Sequence, residues 1–268
     1  MKSYLSYFKL RLLTNFQYRA AALAGLSTQV FFGFVYVFVY IALYQSNIGV
    51  NAPMDLSHLV SYAWLGQAFL YLTYPYIADT ELIEMIRDGN IAYELIRPQS
   101  FYLKFYIKIY TSRVAGVLLR FSPIIIMSLL LPKPYNLIFP SSIGSLIVFI
   151  LALLLASLLI TSLTLIIHIL IMFLYDSRGI FTFYSVLAEL FMGALIPLPF
   201  LPSFLRKISY VLPFRFISDF PYRVYTGDIP LKTGIYSLGL SLIWIIIIVY
   251  IGFLIARKAL KKAVIQGG

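Results

Sequence analysis

The 268-residue chain has 61% hydrophobic residues, only 12% charged residues and a mean hydropathy of +0.90. Soluble domains carry roughly 25% charged residues, so this composition excludes an ordinary soluble protein and indicates an integral membrane protein. The chain has no cysteine, which excludes disulfides, thiolate metal ligands and thiol nucleophiles. Its net charge of +11 is interpreted below from the position of the basic residues relative to the membrane.

Residues 1–19 precede the first apolar span and place Leu5, Phe8, Leu12 and Phe16 at helical spacing. Other positions around the helix hold Lys2, Ser6, Lys9 and Gln17. This pattern predicts an amphipathic helix that lies at the inner membrane interface. The alternative is a positively charged topology signal in which the apolar spacing has no structural meaning.

Six apolar segments that follow are long enough to cross a bilayer as helices. They are residues 20–44, 57–78, 114–131, 142–174, 179–201 and 235–256. With the N-terminus in the cytosol, most Lys and Arg residues fall in cytosolic segments, as the positive-inside rule requires. The sequence predicts a single transmembrane domain over residues 1–268, multi-pass in the cell membrane (plasma or inner), with both termini cytosolic.

Charged residues of both signs gather between the second and third spans, in residues 79–98, which we call the elbow. A short helix from Thr80 to Asp88 with Gly89 as its left-handed end fits this stretch. Arg97-Pro98 then forces an extended residue before the next helix. So short an amphipathic helix cannot bury its apolar side by itself. One alternative is that lipid headgroups or neighbouring helices of the same chain cover this side. The other is that a docked protein covers it.

Six prolines interrupt the apolar sequence before the last span, at positions 197, 199, 202, 213, 221 and 230. They exclude one continuous helix. The apolar pieces between them are too hydrophobic for a free loop, so short helices that re-enter the outer leaflet are predicted for residues 197–230, which we call the outer segment.

Two ionisable residues lie inside predicted spans, where such groups are expensive and are candidates for function. Arg120 either extends toward the inner headgroups or pairs with Glu189. Glu189 is predicted to line a substrate path or to stabilise an outer gate. His168 in the fourth span is interpreted as a hydrogen-bonded packing residue.

Two patterns in the chain can be compared with those of known membrane proteins. The elbow has a basic residue, a glycine and a Leu-x-Arg-Pro pattern, as Arg87, Gly89 and the "LIRP" of residues 95–98. A glycine and proline pattern precedes the last span, and its members are Gly193, Pro197, Pro202, Pro213, Phe214, Pro221 and Gly227. In both patterns the chain resembles the membrane subunit of an ABC exporter of the second permease type, in its small six-span subfamily.

This resemblance implies an interfacial N-terminal helix, six spans, a coupling helix between spans two and three, and re-entrant helices between spans five and six. In the family, the coupling helix sits in a groove of a cytosolic ATPase, and two permease subunits form the translocation path. The implied coupling residues are Glu81, Glu84, Arg87, Asp88, Gly89, Arg97 and Pro98. The predicted path or gate residues are Glu189, Arg120, Gly193, Pro197, Pro202 and Pro213.

No glycine in the chain is followed by lysine, so the phosphate-binding GxxxxGK[ST] motif is absent. The chain is therefore not predicted to be an enzyme or to hold a cofactor, and ATP and Mg would be bound by a separate ATPase chain. Expected partners are ATPase subunits, a second permease of the same or a related sequence, and membrane lipids, but no nucleic acid.

The predicted cargo is a lipid, peptide, antibiotic or other amphiphile. A secondary transporter or channel is the first alternative, although it would require polar residues along several spans. A membrane-embedded lipid-modifying enzyme is the second, although it would require clustered His, Asp or Glu near one membrane face.

Overall fold

The computed structural model of the protein describes residues 2–17, 19–46, 52–75, 79–95, 99–173 and 177–262. In these ranges every regular element is a helix, as predicted. The α-helices are α1 Lys2–Gln17, α2 Arg19–Gln45, α3 Leu56–Ala68, α4 Leu70–Thr73, α5 Thr80–Arg87, α6 Ala92–Leu95, α7 Phe101–Leu118, α8 Phe121–Leu130, α9 Ile143–Leu170, α10 Ser177–Phe191, α11 Ser203–Val211, α12 Asp219–Thr226 and α13 Leu231–Lys262. Short 3-10 turns occupy Ile171–Phe173, Leu198–Phe200 and Pro213–Phe216.

Four helical stretches in the described ranges are long and apolar enough to cross a membrane. They are Ala24–Gln45, Phe101–Leu130, Ile143–Phe173 and Leu231–Lys261, and Gly179–Phe191 is a shorter apolar helix. An all-helical membrane protein is therefore confirmed, whereas the six-span layout stays a prediction.

Three predicted spans have boundaries that differ from the sequence expectation. The described part of the segment 57–78 forms α3 and α4, which are separated at Phe69, and residues 76–78 lie outside the described residues. Helix α4 stops before Pro75 because the residue preceding a proline disfavours helical geometry. The segment 114–131 starts earlier, at Phe101. The segment 179–201 forms a helix only as far as Phe191, and Gly193 then adopts a φ of 80°.

The helix that contains the third span begins where the sequence predicts a new helix, near Ser100 after Arg97-Pro98. Lysine is a good helix former, so α7 continues through Lys104 and Lys108 into the apolar span. Both lysines are buried and each has a carboxylate partner, Glu94 for Lys104 and Asp79 for Lys108.

Helix α9 lies at the centre of the packing and contacts α7, α12 and α13 along its length. Its buried hydroxyls donate to carbonyls one turn earlier, as Ser157 does to Leu154 and Thr161 to Ser157. Its 28 residues span about 42 Å, more than the hydrocarbon thickness of a bilayer. One end of α9 therefore extends toward the elbow.

Helix α1 packs along α7. The rings of Phe8 and Tyr110 lie 6.4 Å apart, and the Ser100 amide donates to the Tyr4 hydroxyl at 2.9 Å. Leu5, which was expected to share an apolar face with Phe8, is exposed instead. The predicted helix is thus present, whereas its location at a membrane interface stays a prediction.

Candidate functional site: the elbow and a tyrosine-lined cavity

The elbow contains the helix that the sequence predicts. Helix α5 begins after Asp79, whose carboxylate accepts from the Leu82 amide at 2.9 Å and so caps the first turn. It ends at Arg87, and Gly89 follows with a φ of 71°. A helix of eight residues is unstable alone, so contacts with the rest of the protein hold it in place.

Other helices of the same chain cover the apolar side of α5. Leu82 is fully buried, and Met85 and Ile86 pack against a cluster that includes Phe105 of α7 and Leu165 of α9. Neighbouring helices, which were part of the first alternative, therefore cover the apolar side of α5. The opposite side of α5 is polar, and its exposed residues are Glu81, Glu84 and Arg87, followed by Asp88 at the helix end.

Lys108 of α7 connects the N-terminal end of α5 to the membrane helices. Its ammonium lies 2.8 Å from Asp79 and 2.6 Å from Glu81, and Arg11 of α1 approaches Glu81 at 3.6 Å. The hydrogen bond from Lys108 is the main cause that lowers the pKa of Glu81. Because this folded-state pKa is depressed, the stabilisation is present above the unfolded pKa and is lost as the pH falls through the folded value.

His168 of α9 forms a second connection to the start of the elbow, at Asp79. The Asp79 amide donates to His168 Nε2 at 2.7 Å, so this nitrogen is the acceptor and carries no proton. The other ring nitrogen, Nδ1, lies 2.8 Å from the Thr164 carbonyl and therefore carries the proton that it donates. The interpretation of His168 as a hydrogen-bonded packing residue is confirmed.

Arg113 of α7 is a connection that the sequence reasoning missed, because we counted it only as a cytosolic charge. Its guanidinium is 0% exposed and donates to the carbonyls of Leu72 at 3.1 Å and Tyr74 at 2.8 Å, and to the Thr164 hydroxyl at 2.8 Å. Pro75 ends α4, so the carbonyls of its last residues have no donor from a following helical turn. This proline is the one feature of the sequence that indicates a need for a donor such as Arg113.

These contacts attach the elbow to α7 and α9. Asp79 at the start of α5 bonds to both helices, and a further buried ion pair between Glu94 and Lys104 ties α6 to α7. Arg113 separately links the end of α4 to α7 and α9.

Glu189 lies on α10 at the wall of a cavity of about 150 Å³, between α2, α3, α4 and α12. Its side chain is half-buried. The tyrosines of this cavity are Tyr36, Tyr40, Tyr62, Tyr74 and Tyr222, and further polar groups are Gln67, Thr73 and Ser218. The predicted path residue thus borders an internal space.

Arg120 lies elsewhere. Its guanidinium stacks 4.5 Å from the centre of the Tyr71 ring and donates to the Gly116 carbonyl at 3.2 Å. It is not among the residues that line the Glu189 cavity. The structure therefore does not bring the hypothetical Arg120 and Glu189 pair together.

Gly193 stands where α10 turns into the outer segment. Its carbonyl accepts from the Tyr62 hydroxyl at 2.9 Å, and a Cβ at this position would approach that hydroxyl to 2.6 Å. With a φ of 80°, only glycine fits without strain. The turn is thus fixed against α3 beside the cavity.

The prolines of the outer segment mark the starts of its short helices. Pro197 precedes the Leu198–Phe200 turn, Pro202 precedes α11, and Pro213 begins the next turn. Proline suits these positions because an amide at a helix start has no helical partner. Arg97 and Pro98 of the elbow lie outside the described residues.

Asp219 is a second residue whose role the sequence reasoning missed. It is 1% exposed, accepts from the Leu198 amide at 3.3 Å and pairs with Arg223 at 3.1 Å, while Arg223 also pairs with Asp228 at 2.6 Å. Asp219 therefore connects the start of the outer segment to its last helix. Nothing local in the sequence distinguishes it from a surface carboxylate.

An all-helical membrane protein with a polar elbow at one end and a tyrosine-lined cavity between its helices is typical of a membrane component of a transporter. The family model for ABC-2 family transporter proteins matches residues 27–267. The chain therefore belongs to this family and is an ABC-2 type permease. No curated protein matches the chain significantly.

Membership of this family has two direct consequences. The chain is a transport membrane component whose sequence lacks a nucleotide-binding motif of its own. The family also implies association with ABC ATPase partners.

Proposed function

We propose that this permease is the membrane subunit of an ATP-driven exporter and that α5 is the coupling helix that docks to a separate cytosolic ATPase, which binds ATP and Mg. The observation that carries the proposal is the two-sided character of α5. Leu82 and its apolar neighbours are buried by the protein itself, while Glu84, Arg87 and Asp88 extend outward. The outward side offers charge to a partner, and the inner side transmits movement.

The positions of the connections between helices support six membrane crossings. These crossings would be α2, α3 together with α4, α7 together with α8, α9, α10 and α13. The C-terminal part of α13 lies beside the elbow, where Ala256 and Ala259 share a cluster with Leu82. Near the other end of α13, just before it begins, the Ser141 amide donates to the Tyr225 carbonyl. We assign the elbow end to the cytosol, together with α1 at the interface and both termini.

The packing of α12 supports a re-entrant outer segment. Phe220 and Val224 lie in one cluster with Val148 and Ala152 of α9. Ala152 is about 13 Å along α9 from its first residue, so α12 returns below the level at which α9 begins. Broken backbone at this depth requires surrounding protein, and α3, α9 and α13 supply it.

In this proposal the Glu189 cavity belongs to the translocation path, and Gly193 and the prolines of the outer segment form its outer gate. A second permease, identical or related, completes the path in the plasma or inner membrane, and lipids surround the pair. The cargo is an amphiphile. Movement of α5 when the ATPases close would reach the cavity through Arg113, because Leu72 and Tyr74, whose carbonyls it binds, flank Thr73 in the cavity wall.

The combined variant Glu84→Ala, Arg87→Ala and Asp88→Ala tests this function. We expect it to fold normally, because Leu82, Met85 and Ile86 are unchanged, and to bind its partner ABC ATPase about tenfold or more weakly. The measurement is the affinity of the purified permease for that ATPase in lipid nanodiscs.

The matched control removes three exposed charges from α13, with Arg257, Lys258 and Lys261 changed to alanine. Its affinity for the ATPase should equal that of the unchanged protein. Equal affinity for the elbow variant would reject α5 as the docking surface.

A further inference from the structure

The Glu189 cavity has the chemical composition of a cation site. Tyrosine rings carry a negative π face, and a carboxylate adds a full negative charge. Among the described residues that line the cavity, none is Lys, Arg or His. Tyr62 and Tyr222 lie edge to face with their ring centres 5.3 Å apart, so these two walls are fixed.

An apolar groove of about 360 Å³ adjoins this cavity. Tyr36, Tyr40 and Leu195 line both spaces and therefore mark the junction between them. The rest of the groove is apolar, with Val39, Leu43 and Ile196 among its lining residues. The two spaces together form a small cavity that contains polar groups and adjoins a larger apolar groove.

We propose that the cavity and groove together bind a cationic amphiphile, with an ammonium group beside Glu189 and the tyrosines and an apolar tail along the groove. This inference rests on the proposed transport function, because it names the class of cargo for the same cavity. The small volume of the cavity suits a compact ammonium headgroup. The groove removes the tail from water and contributes affinity in proportion to its buried length.

Charge decides against the other amphiphiles. An anionic headgroup would meet the Glu189 carboxylate without any basic side chain from the described lining. A neutral headgroup would leave a partly buried carboxylate without a counter-charge, which is unfavourable inside a membrane. A cation stabilises the ionised carboxylate, and the tyrosine rings of the lining are groups with which a cation interacts favourably.

The test measures equilibrium binding of radiolabelled hexadecyltrimethylammonium to the permease in phosphatidylcholine nanodiscs, with binding to empty nanodiscs subtracted. We expect saturable binding that Glu189→Gln weakens on the order of tenfold, since the change removes the charge and keeps the shape. Tyr40→Leu should weaken binding as well, whereas Tyr40→Phe, which keeps the ring, should retain it. Asp55→Asn removes an exposed carboxylate that is not among the lining residues of the cavity or the groove, and it should leave binding unchanged.

Equal affinity of the Glu189→Gln protein would overturn the proposal, and so would hexadecyl sulfate that competes as well as the cation does. The Tyr40 pair keeps the test informative if Glu189→Gln fails to fold, because equal binding by the leucine and phenylalanine variants would also contradict it. The assay contains no ATPase. Its failure would therefore reject only the cargo class, whereas loss of the exporter function is tested by the elbow variant.

Discussion

Gly89→Val is expected to uncouple ATP hydrolysis from export. Gly89 has a φ of 71° directly after α5, a conformation that costs a β-branched residue roughly 1–3 kcal/mol. Relief of this strain would change the direction in which the chain leaves α5 and displace α6. We expect the amount of cargo exported per ATP hydrolysed to fall roughly tenfold in proteoliposomes that contain the permease and its ATPase, while hydrolysis continues.

Gly239→Val is the matched control for this change. Gly239 lies in α13, and a Cβ there would meet nothing within 4 Å. The same substitution at this position should leave the ratio of export to hydrolysis unchanged. An unchanged ratio for Gly89→Val would mean that the elbow is a passive connection between two spans.

Arg113→Met is expected to cause the largest loss of stability. The change removes three hydrogen bonds from a fully buried guanidinium and leaves the Leu72 and Tyr74 carbonyls without these donors. The cost is roughly 2–4 kcal/mol, since a buried acceptor that loses its donor keeps its desolvation penalty without compensation. We expect a Tm lower by roughly 5–10 °C in detergent, measured by thermal unfolding.

Arg257→Met supplies the comparison, because Arg257 is exposed on α13 and its loss should leave the Tm nearly unchanged. Arg113→Lys should fall between the two, since an ammonium provides donors without the planar geometry of the guanidinium. A Tm for Arg113→Met equal to that of the unchanged protein would show that Arg113 does not fasten α4 to α7 and α9.

The elements that follow local rules were predictable from the sequence. The helix at Thr80–Arg87 and its left-handed end at Gly89 follow from an amphipathic pattern and a glycine. The short helices of the outer segment follow from the spacing of its prolines. Glu189, which lines the cavity, was a candidate because a carboxylate inside an apolar span is energetically costly.

The tertiary roles of charged residues were not predictable. Lys108, Arg113 and Asp219 resemble ordinary loop charges in the sequence, and only the fold shows which groups they meet. The same limitation applies to Lys104 and Lys108, which count as cytosolic charges in the sequence and which the fold buries beside carboxylates of the elbow. A hydropathy sum counts each charged residue by itself, so it cannot include an oppositely charged partner that is distant in the sequence.

The most direct test of the coupling role uses a single thiol. The chain has no cysteine, so Glu84→Cys on the exposed side of α5 gives one site for a photoreactive maleimide. A matched label at Phe204→Cys lies on α11 of the outer segment, where Phe204 is exposed. In the assembled complex, illumination should join the permease to its ATPase from position 84 and not from position 204. Absence of that product from position 84, in a complex that hydrolyses ATP, would contradict the account.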